Sequence, residues 1–245
     1  MSHLPLVHCL LITGKDLRRV MFARLIGLKN FNEQTYKNKK LIIVNHGKIP
    51  IMEKPQDNVY ELMVKKGDMT LGDLRNLSLE LVPIDGIALN WDDDDYRKNN
   101  YIEFMLNTLL KTKSIAVFMK NRMEYNLANG FTFKSSFDKG NTHIMSIKLD
   151  RLRYMSKDTL EDTLLRNQIT SFKKKYTAIN NNPTMYIRII HQNNTSPYAI
   201  DSRTQIIKYA DSSYYKEYDA TLEEKAYVDK VIKENYGMFL YKNDE

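Results

Sequence analysis

Apolar runs alternate with apolar residues at helical spacing through the first half of the chain. The stretch 4–12 is apolar but for His8 and predicts a buried strand, read at 7–13. Leu17, Val20, Met21, Leu25 and Leu28 then recur at helical spacing. A second apolar run, 41–44, is rich in branched residues and stops at Asn45-His46-Gly47. A short third strand is expected at 59–64. Thr70 followed by Asp73 resembles a capping box that opens a helix through Leu81. Residues 87–91 predict a fourth strand. Ile102, Met105, Leu106, Leu109 and Leu110 define an amphipathic helix, and 115–119 a fifth strand. Such alternation predicts an α/β fold, a mainly parallel central sheet flanked by helices on both faces.

The second half is mixed. Residues 124–133 and 141–148 read as extended segments around Gly130 and Gly140. Leu165, Ile169 and Phe172 suggest a helix, and 185–191 a further strand. Thr221 with Glu224 is expected to cap a last helix carrying Val228, Val231 and Ile232 on one stripe. Prolines mark loops at 49–58 and 180–183. No repeat or low-complexity linker divides the chain. The expected organisation is one domain over 1–200 with a C-terminal helical extension, 201–245, packed on it.

Composition changes this picture little. Lys plus Arg number 37 and Asp plus Glu 30, a net +7 in 245 residues. A basic sum invites a nucleic-acid, membrane-surface or phosphate-ligand reading and excludes none of them. Density in Asn, Lys, Ile and Tyr is a compositional bias of the kind expected of an AT-rich genome, such as that of a large DNA virus. The single cysteine, Cys9, excludes an internal disulfide and a Cys-rich zinc site, and the chain is expected to be cytoplasmic. No apolar run approaches the roughly 18 residues of a membrane span.

Candidate chemistry gathers at the ends of the predicted strands. Trp91 is followed by Asp92, Asp93, Asp94 and Asp95. Four adjacent carboxylates repel one another and suit strands poorly, so they belong past the strand end, compensated by water or a cation. Ligands bind at the carboxyl ends of parallel strands, and one or two carboxylates with substrate phosphates suit a hard divalent ion. The alternative is a solvated acidic loop. Glu161 and Asp162 stand at the start of a helical pattern, either as a helix cap or as a general base. His191 ends an apolar strand, either as a surface residue or as a metal or phosphate contact. Gly14, with Arg18 and Arg19, and the segment Leu74-Arg75-Asn76 join sheet-like to helix-like stretches where anions are favoured. Lys173–Lys175 reads as a solvated helix face. No Gly-x-Gly-x-x-Gly or Walker-type Gly-Lys-Ser/Thr is present.

These segments, in this order, resemble family 2 glycosyltransferases of the GT-A fold over roughly residues 5–200. Leu10-Leu11-Ile12-Thr13 with Arg18 and Arg19, and Phe31 to Tyr36, resemble the family's first strand, helix and Gln-Thr-Tyr turn. Leu41 to Gly47 resembles its second strand, and Leu71-Gly72-Asp73-Leu74-Arg75-Asn76 its Gly-x-x-Arg-Asn helix. Trp91 to Tyr96 resembles its Asp-x-Asp motif, Leu160-Glu161-Asp162-Thr163 its Gly-Glu-Asp-Thr segment, and His191 to Thr195 a late His-Gly-x-Asn-Thr segment.

The resemblance implies a metal-dependent, inverting transfer of a sugar from a nucleotide-sugar, a UDP-sugar first, to a hydroxyl of a glycan, protein or lipid acceptor. It implies that Asp92 contacts the ribose and that Asp94, with His191, binds Mn²⁺ or Mg²⁺. Thr13, Arg18, Asn45 and Arg75 would line the nucleotide pocket, and Asp162 would be the catalytic base. Three residues depart from the family's pattern. Asn45 stands where Asp is usual, Leu160 replaces Gly, and Gln192 replaces Gly. Two other readings stay open: an inactive GT-A scaffold that serves as an interaction protein, and a basic nucleic-acid-binding protein.

Overall fold

The structure is a computed structural model describing residues 4–14, 16–65, 67–141, 144–172, 174–191, 194, 199–200, 207–208 and 215–240. The first half runs β1 (Val7–Thr13), α1 (Leu17–Phe22), a π-helical turn (Ala23–Leu28), α2 (Lys29–Asn32), β2 (Lys39–Asn45), β3 (Val59–Met63), α3 (Leu71–Glu80), β4 (Ile87–Asn90), β5 (Tyr96–Arg97), α4 (Tyr101–Thr112) and β6 (Ala116–Met119). The second half runs β7 (Asn121–Asn126), β8 (Thr132–Phe137), β9 (Ile144–Ile147), α5 (Glu161–Ser171), β10 (Tyr176–Ile179), a 3-10 turn (Pro183–Met185), β11 (Tyr186–Ile190), β12 (Ala199–Ile200), β13 (Ile207–Lys208), β14 (Tyr215–Asp219) and α6 (Leu222–Leu240).

The main sheet has seven strands in the order β10-β6-β9-β4-β1-β2-β3. All its pairings are parallel except those of β9, which runs antiparallel to both β4 and β6. Side chains alternate across β1 and β2 as a buried parallel strand requires. Cys9, Leu11, Leu41 and Ile43 pack on one face with Ile102, Met105 and Leu109 of α4. Leu10 and Ile42 pack on the other with Leu79 of α3 and Leu165 and Ile169 of α5. Cys9 is fully buried, and burial pushes its thiol up to about 12. The expected sheet with helices on both faces is therefore observed.

A second sheet, β14-β8-β7-β11-β5, carries the other layer. Met123, Tyr125, Ile187 and Ile189 of this sheet pack against Val228, Val231, Ile232 and Tyr236 of α6 and against Phe22. Each such aliphatic or aromatic side chain stabilises by about 1.5–3 kcal/mol when buried. Segment 201–245 thus contributes a strand, β14, paired antiparallel with β8, as well as a helix. No described helix is long and apolar enough to cross a membrane.

The structure corrects the sequence reading at several points. Leu4 and Leu6 stay exposed, so the apolar run is longer than the strand. Lys174 and Lys175 lie between α5, which ends at Ser171, and the edge strand β10; they are not on a helix, and Lys173 is outside the described residues. Residues 124–133 and 141–148 resolve into three strands, β7, β8 and β9. The capping boxes hold: the Thr70 and Asp73 side chains bond reciprocally at α3, and Thr221 and Glu224 do so at α6.

Candidate active site at the carboxyl end of the sheet

Strand β4 delivers the acidic run. Its pairing with β1 continues one residue past the strand, where the Trp91 amide donates to the Leu10 carbonyl at 2.9 Å. Trp91 is fully buried, and its indole donates to the Gly27 carbonyl at 3.0 Å. Gly27 lies in the π-helical turn, where widened winding frees a carbonyl for an outside donor. A Cβ on Gly27 would come within 3.1 Å of the Asp93 Cα, so a larger residue would press the turn against the acidic loop.

The tetrad is not a solvated loop. Asp93 is completely buried and Asp94 and Asp95 nearly so, while Asp92 is half-buried. Arginines from three elements answer the charge. Arg19, on α1, forks onto Asp93 and onto Asp94 Oδ2, the latter at 2.6 Å. Arg97, on β5, is fully buried and reaches Asp92 Oδ2 at 3.3 Å. Its guanidinium lies 4.4 Å above the Trp91 ring and 5.0 Å from that of Tyr186, an arrangement that stabilises a buried cation. Arg75, on α3, reaches Asp92 Oδ1 at 3.4 Å and Glu161 Oε1 at 3.1 Å.

Each carboxylate has a distinct environment. The Thr13 hydroxyl donates to Asp93 Oδ2 at 2.7 Å. Burial, opposed by Arg19 and reinforced by Asp94, pushes the Asp93 carboxyl up. Burial acts on Asp94 in the same sense, but Arg19 and His191 outweigh it and hold Asp94 well below the usual carboxylate range. Asp95 accepts from the Tyr186 hydroxyl and, at 2.8 Å, from the Ile189 amide. Burial and its acidic neighbours push Asp95 up.

His191 is buried at the end of β11, with Nε2 3.0 Å from Asp94 Oδ2. Its ring stacks on Phe22 at 4.7 Å, and Phe22 stacks in turn on Phe239 of α6 at 4.2 Å. Asn194 donates its side-chain amide to the same Asp94 oxygen at 3.3 Å. Gln192, Asn193 and Thr195 lie outside the described residues.

The remaining expected residues are placed as follows. Asn45 is fully buried, donates to the Ile49 carbonyl and Glu61, and accepts from the Gly47 amide at 2.8 Å. Beside it Gly14 adopts φ 120°, and a Cβ there would lie 2.2 Å from the Gly47 nitrogen. The ends of β1 and β2 thus interlock through glycine. Arg18 points elsewhere than Arg19: its guanidinium stands 5.8 Å from the Phe22 ring. Asp162 is the second residue of α5, and its Oδ1 is buried without a hydrogen-bond partner among the described residues. Leu160 caps that helix in a left-handed conformation, φ 64°, the conformation a glycine takes without strain. Glu161 is buried, and burial with the neighbouring Asp162 pushes it up to about 8.

The sequence reading missed the roles of three residues. Arg19 rather than Arg18 meets the tetrad; the signal was Asp16, whose side chain caps α1 on the Arg19 amide and so fixes the helical phase. Arg97 and Tyr236, which donates its hydroxyl to the Asp94 carbonyl at 2.9 Å, carried no recognisable pattern.

A divalent ion can be tested against this donor set. Two ligands bound at about 2.0–2.2 Å and at right angles lie about 3 Å apart. The 3.0 Å between Asp94 Oδ2 and His191 Nε2 meets that requirement. Among the described residues no group of three or more His, Cys, Asp or Glu side chains is arranged to hold a metal ion. Asp94 and His191 therefore fit a site that phosphate oxygens and water would complete, as hard ions such as magnesium prefer.

No family model matches the sequence, and no curated protein sequence matches it. The fold does have solved neighbours. S. aureus TarS 1–349 in complex with UDP-GlcNAc superposes with TM-score 0.61 and 12% identity over 78% of this chain and 60% of that one. Its complex with UDP gives 0.57 and 11% over 76% and 60%. The mannosyltransferase PcManGT from Pyrobaculum calidifontis, in complex with GDP-Man and Mn²⁺, gives 0.56 and 13% over 79% and 59%. The chain spans about 60% of the length of these structures. Its central sheet, flanking helices and C-terminal helix form the α/β architecture of the GT-A glycosyltransferases.

Proposed function

We propose that the chain is a glycosyltransferase that moves a sugar from a nucleoside-diphosphate sugar, a UDP-sugar first, to an acceptor hydroxyl with inversion. One observation carries the reading. Arg75 bridges the Asp92 carboxylate of the acidic loop and Glu161 of the α5 N-terminus, so the two acidic segments form one site at the carboxyl end of the sheet. Strand ends of this kind are where open α/β sheets bind ligands. That GT-A structures such as the TarS complex hold UDP-GlcNAc, and the PcManGT complex GDP-Man with Mn²⁺, supports the donor class.

Asp92, the most exposed of the tetrad, would bind the ribose. Thr13, Arg18, Asn45 and Arg75 would border the nucleotide, with Asn45 acting through the loop it fastens. Asp94 and His191 would hold Mn²⁺ or Mg²⁺. Such an ion supplies, when bound, neutralisation of the charge that develops on the leaving diphosphate. Asp162, whose Oδ1 has no hydrogen-bond partner among the described residues, would accept the proton of the acceptor hydroxyl. As that proton leaves, the acceptor oxygen bonds to the anomeric carbon. The bond from that carbon to the diphosphate breaks, and its electron pair departs with the nucleoside diphosphate.

The test is nucleotide release and calorimetric binding with Mn²⁺ and UDP-, GDP- and dTDP-sugars. Asp94→Ala is expected to abolish metal-dependent donor binding. Asp162→Asn is expected to keep donor binding and lose transfer by about 10²–10⁴-fold. Transfer by the Asp162 variant at the wild-type rate removes its role as base, and absence of any nucleotide binding with metal rejects the reading.

The satisfied carboxylates favour a second reading, a GT-A scaffold without catalysis that serves as an interaction protein. It predicts a stable fold with no nucleotide binding under any of these conditions.

A further inference from the structure

We propose that the Arg19 guanidinium occupies the cation position of the acidic loop, so that a divalent ion must displace it to reach Asp94. The inference rests on the proposed function only in taking Asp94 as the ion-binding carboxylate.

The argument begins with a single oxygen. Asp94 Oδ2 lies 2.6 Å from Arg19 Nη1, 3.0 Å from His191 Nε2 and 3.3 Å from Asn194 Nδ2. A carboxylate oxygen offers about two lone pairs, so three groups already crowd it. The same guanidinium is held on its other fork by Asp93, which Thr13 fixes in turn at 2.7 Å. A planar fork on two carboxylates is a strong and directional form of charge-assisted contact. Arg19 therefore supplies the positive charge that the tetrad demands.

The electrostatics agree with this placing. Burial works against the charge of Arg19, but Asp93 and Asp94 more than offset it and hold the guanidinium protonated. A second cation on Asp94 would face that fixed charge at contact distance, and the repulsion is large where water is largely excluded. Binding of an ion thus requires Arg19 to let go of Asp94. The side chain is able to do so: it is 17% exposed, whereas Asp93 beneath it is fully covered. Arg97, the other cation of the loop, has no such exit, since it is fully buried among aromatic rings. Arg75 is engaged on Asp92 and Glu161, away from Asp94.

Arg19 is thus a gating residue for ion binding, and its removal tightens the site rather than weakening it. That sign is opposite to the one expected of a residue that merely helps to build the site.

The test titrates Mn²⁺ alone into the full chain and follows unbound Mn²⁺ by electron paramagnetic resonance, with no nucleotide present. Arg19→Gln is expected to bind Mn²⁺ at least about tenfold more tightly than wild type, a difference of about 1.4 kcal/mol. Asp94→Asn in the Arg19→Gln background is expected to remove the gain, which places the ion on Asp94. Arg19→Lys keeps the charge but not the fork, and is expected to bind with intermediate affinity. If Arg19→Gln does not fold, the lysine variant carries the test. An affinity in the folded variant equal to or below that of wild type overturns the proposal, as does absence of Mn²⁺ binding in every variant. Failure of the glycosyltransferase reading is scored separately, by nucleotide-sugar binding, which this titration does not involve.

Discussion

The Tyr236 hydroxyl donates to the Asp94 backbone carbonyl at 2.9 Å, across 142 residues of sequence. The last helix therefore holds the acidic loop directly, and segment 215–240 is structurally continuous with the site. Tyr236→Phe removes that donor and keeps the ring. It is expected to cost about 1–2 kcal/mol, a fall in Tm of about 2–8 °C, with weaker donor binding. Differential scanning calorimetry and nucleotide titration check both.

Phe22 sits between the His191 imidazole and the Phe239 ring. Phe22→Ala is expected to destabilise by about 3–5 kcal/mol and to release His191 from its stack. Phe22→Leu preserves most of the volume and is expected to keep stability within about 1.5 kcal/mol. It still removes the flat surface beneath the imidazole. A loss of Mn²⁺ affinity in the folded leucine variant is the expected result.

Arg75 contacts both Asp92 and Glu161 from a nearly buried position. Its removal leaves Asp92 to Arg97 and the buried Glu161 carboxyl without its arginine partner, and Arg75→Ala is expected to cost about 1–3 kcal/mol. Adding Glu161→Gln to that variant is expected to restore part of the loss. A double-mutant cycle in urea measures the recovery.

Glu161 gives stability a defined pH slope. Burial and Asp162 raise it from the ordinary 4.5 to about 8 in the fold. Between those values the folded chain keeps a proton that the unfolded chain has lost. Stability is therefore expected to fall as pH rises through that window. Glu161→Gln is expected to flatten the slope, as read by urea midpoints from pH 5 to 8.

Leu160 adopts φ 64° and is 65% exposed, so little burial is lost on replacing it. A left-handed residue other than glycine carries about 1 kcal/mol of strain. Leu160→Gly is expected to stabilise by up to about 1 kcal/mol, less the extra chain entropy of glycine. Chemical denaturation at neutral pH checks the sign.

Much of the main sheet was legible because its central strands are buried on both faces. Residues 7–13 and the apolar run 41–44 inside Lys39–Asn45 read as strands, and the amphipathic α4 showed one clear stripe. Among the strands that escaped notice, β5 and β10 are a two-residue pair and a half-exposed edge strand with no periodic pattern to detect. The antiparallel direction of β9 is a tertiary choice that four residues do not encode. At the site, the carboxylates stood out as a run, whereas Arg19 and Arg75 were read as anion contacts rather than as their partners, and Arg97 was not read at all. Arg19, Arg75 and Arg97 come from three separate elements, and only the fold shows which cation meets which anion. The resemblance to glycosyltransferases supplied the order of motifs. It did not show that the tetrad is buried or that its charge is balanced from within.

One further consequence follows from the π-helical turn at Ala23–Leu28. Such a turn is a helix carrying one residue in excess. Each residue of an α-helix advances the chain by about 100° of rotation. Deleting a single residue from this turn would allow a regular helix to form. It would also swing the preceding stretch, Arg19 included, by that angle about the helix axis. Arg19 would then leave Asp93 and Asp94, while Trp91 would lose the carbonyl that receives its indole proton. The length of this short segment, more than any side chain in it, sets the clocking of the arginine against the acidic loop.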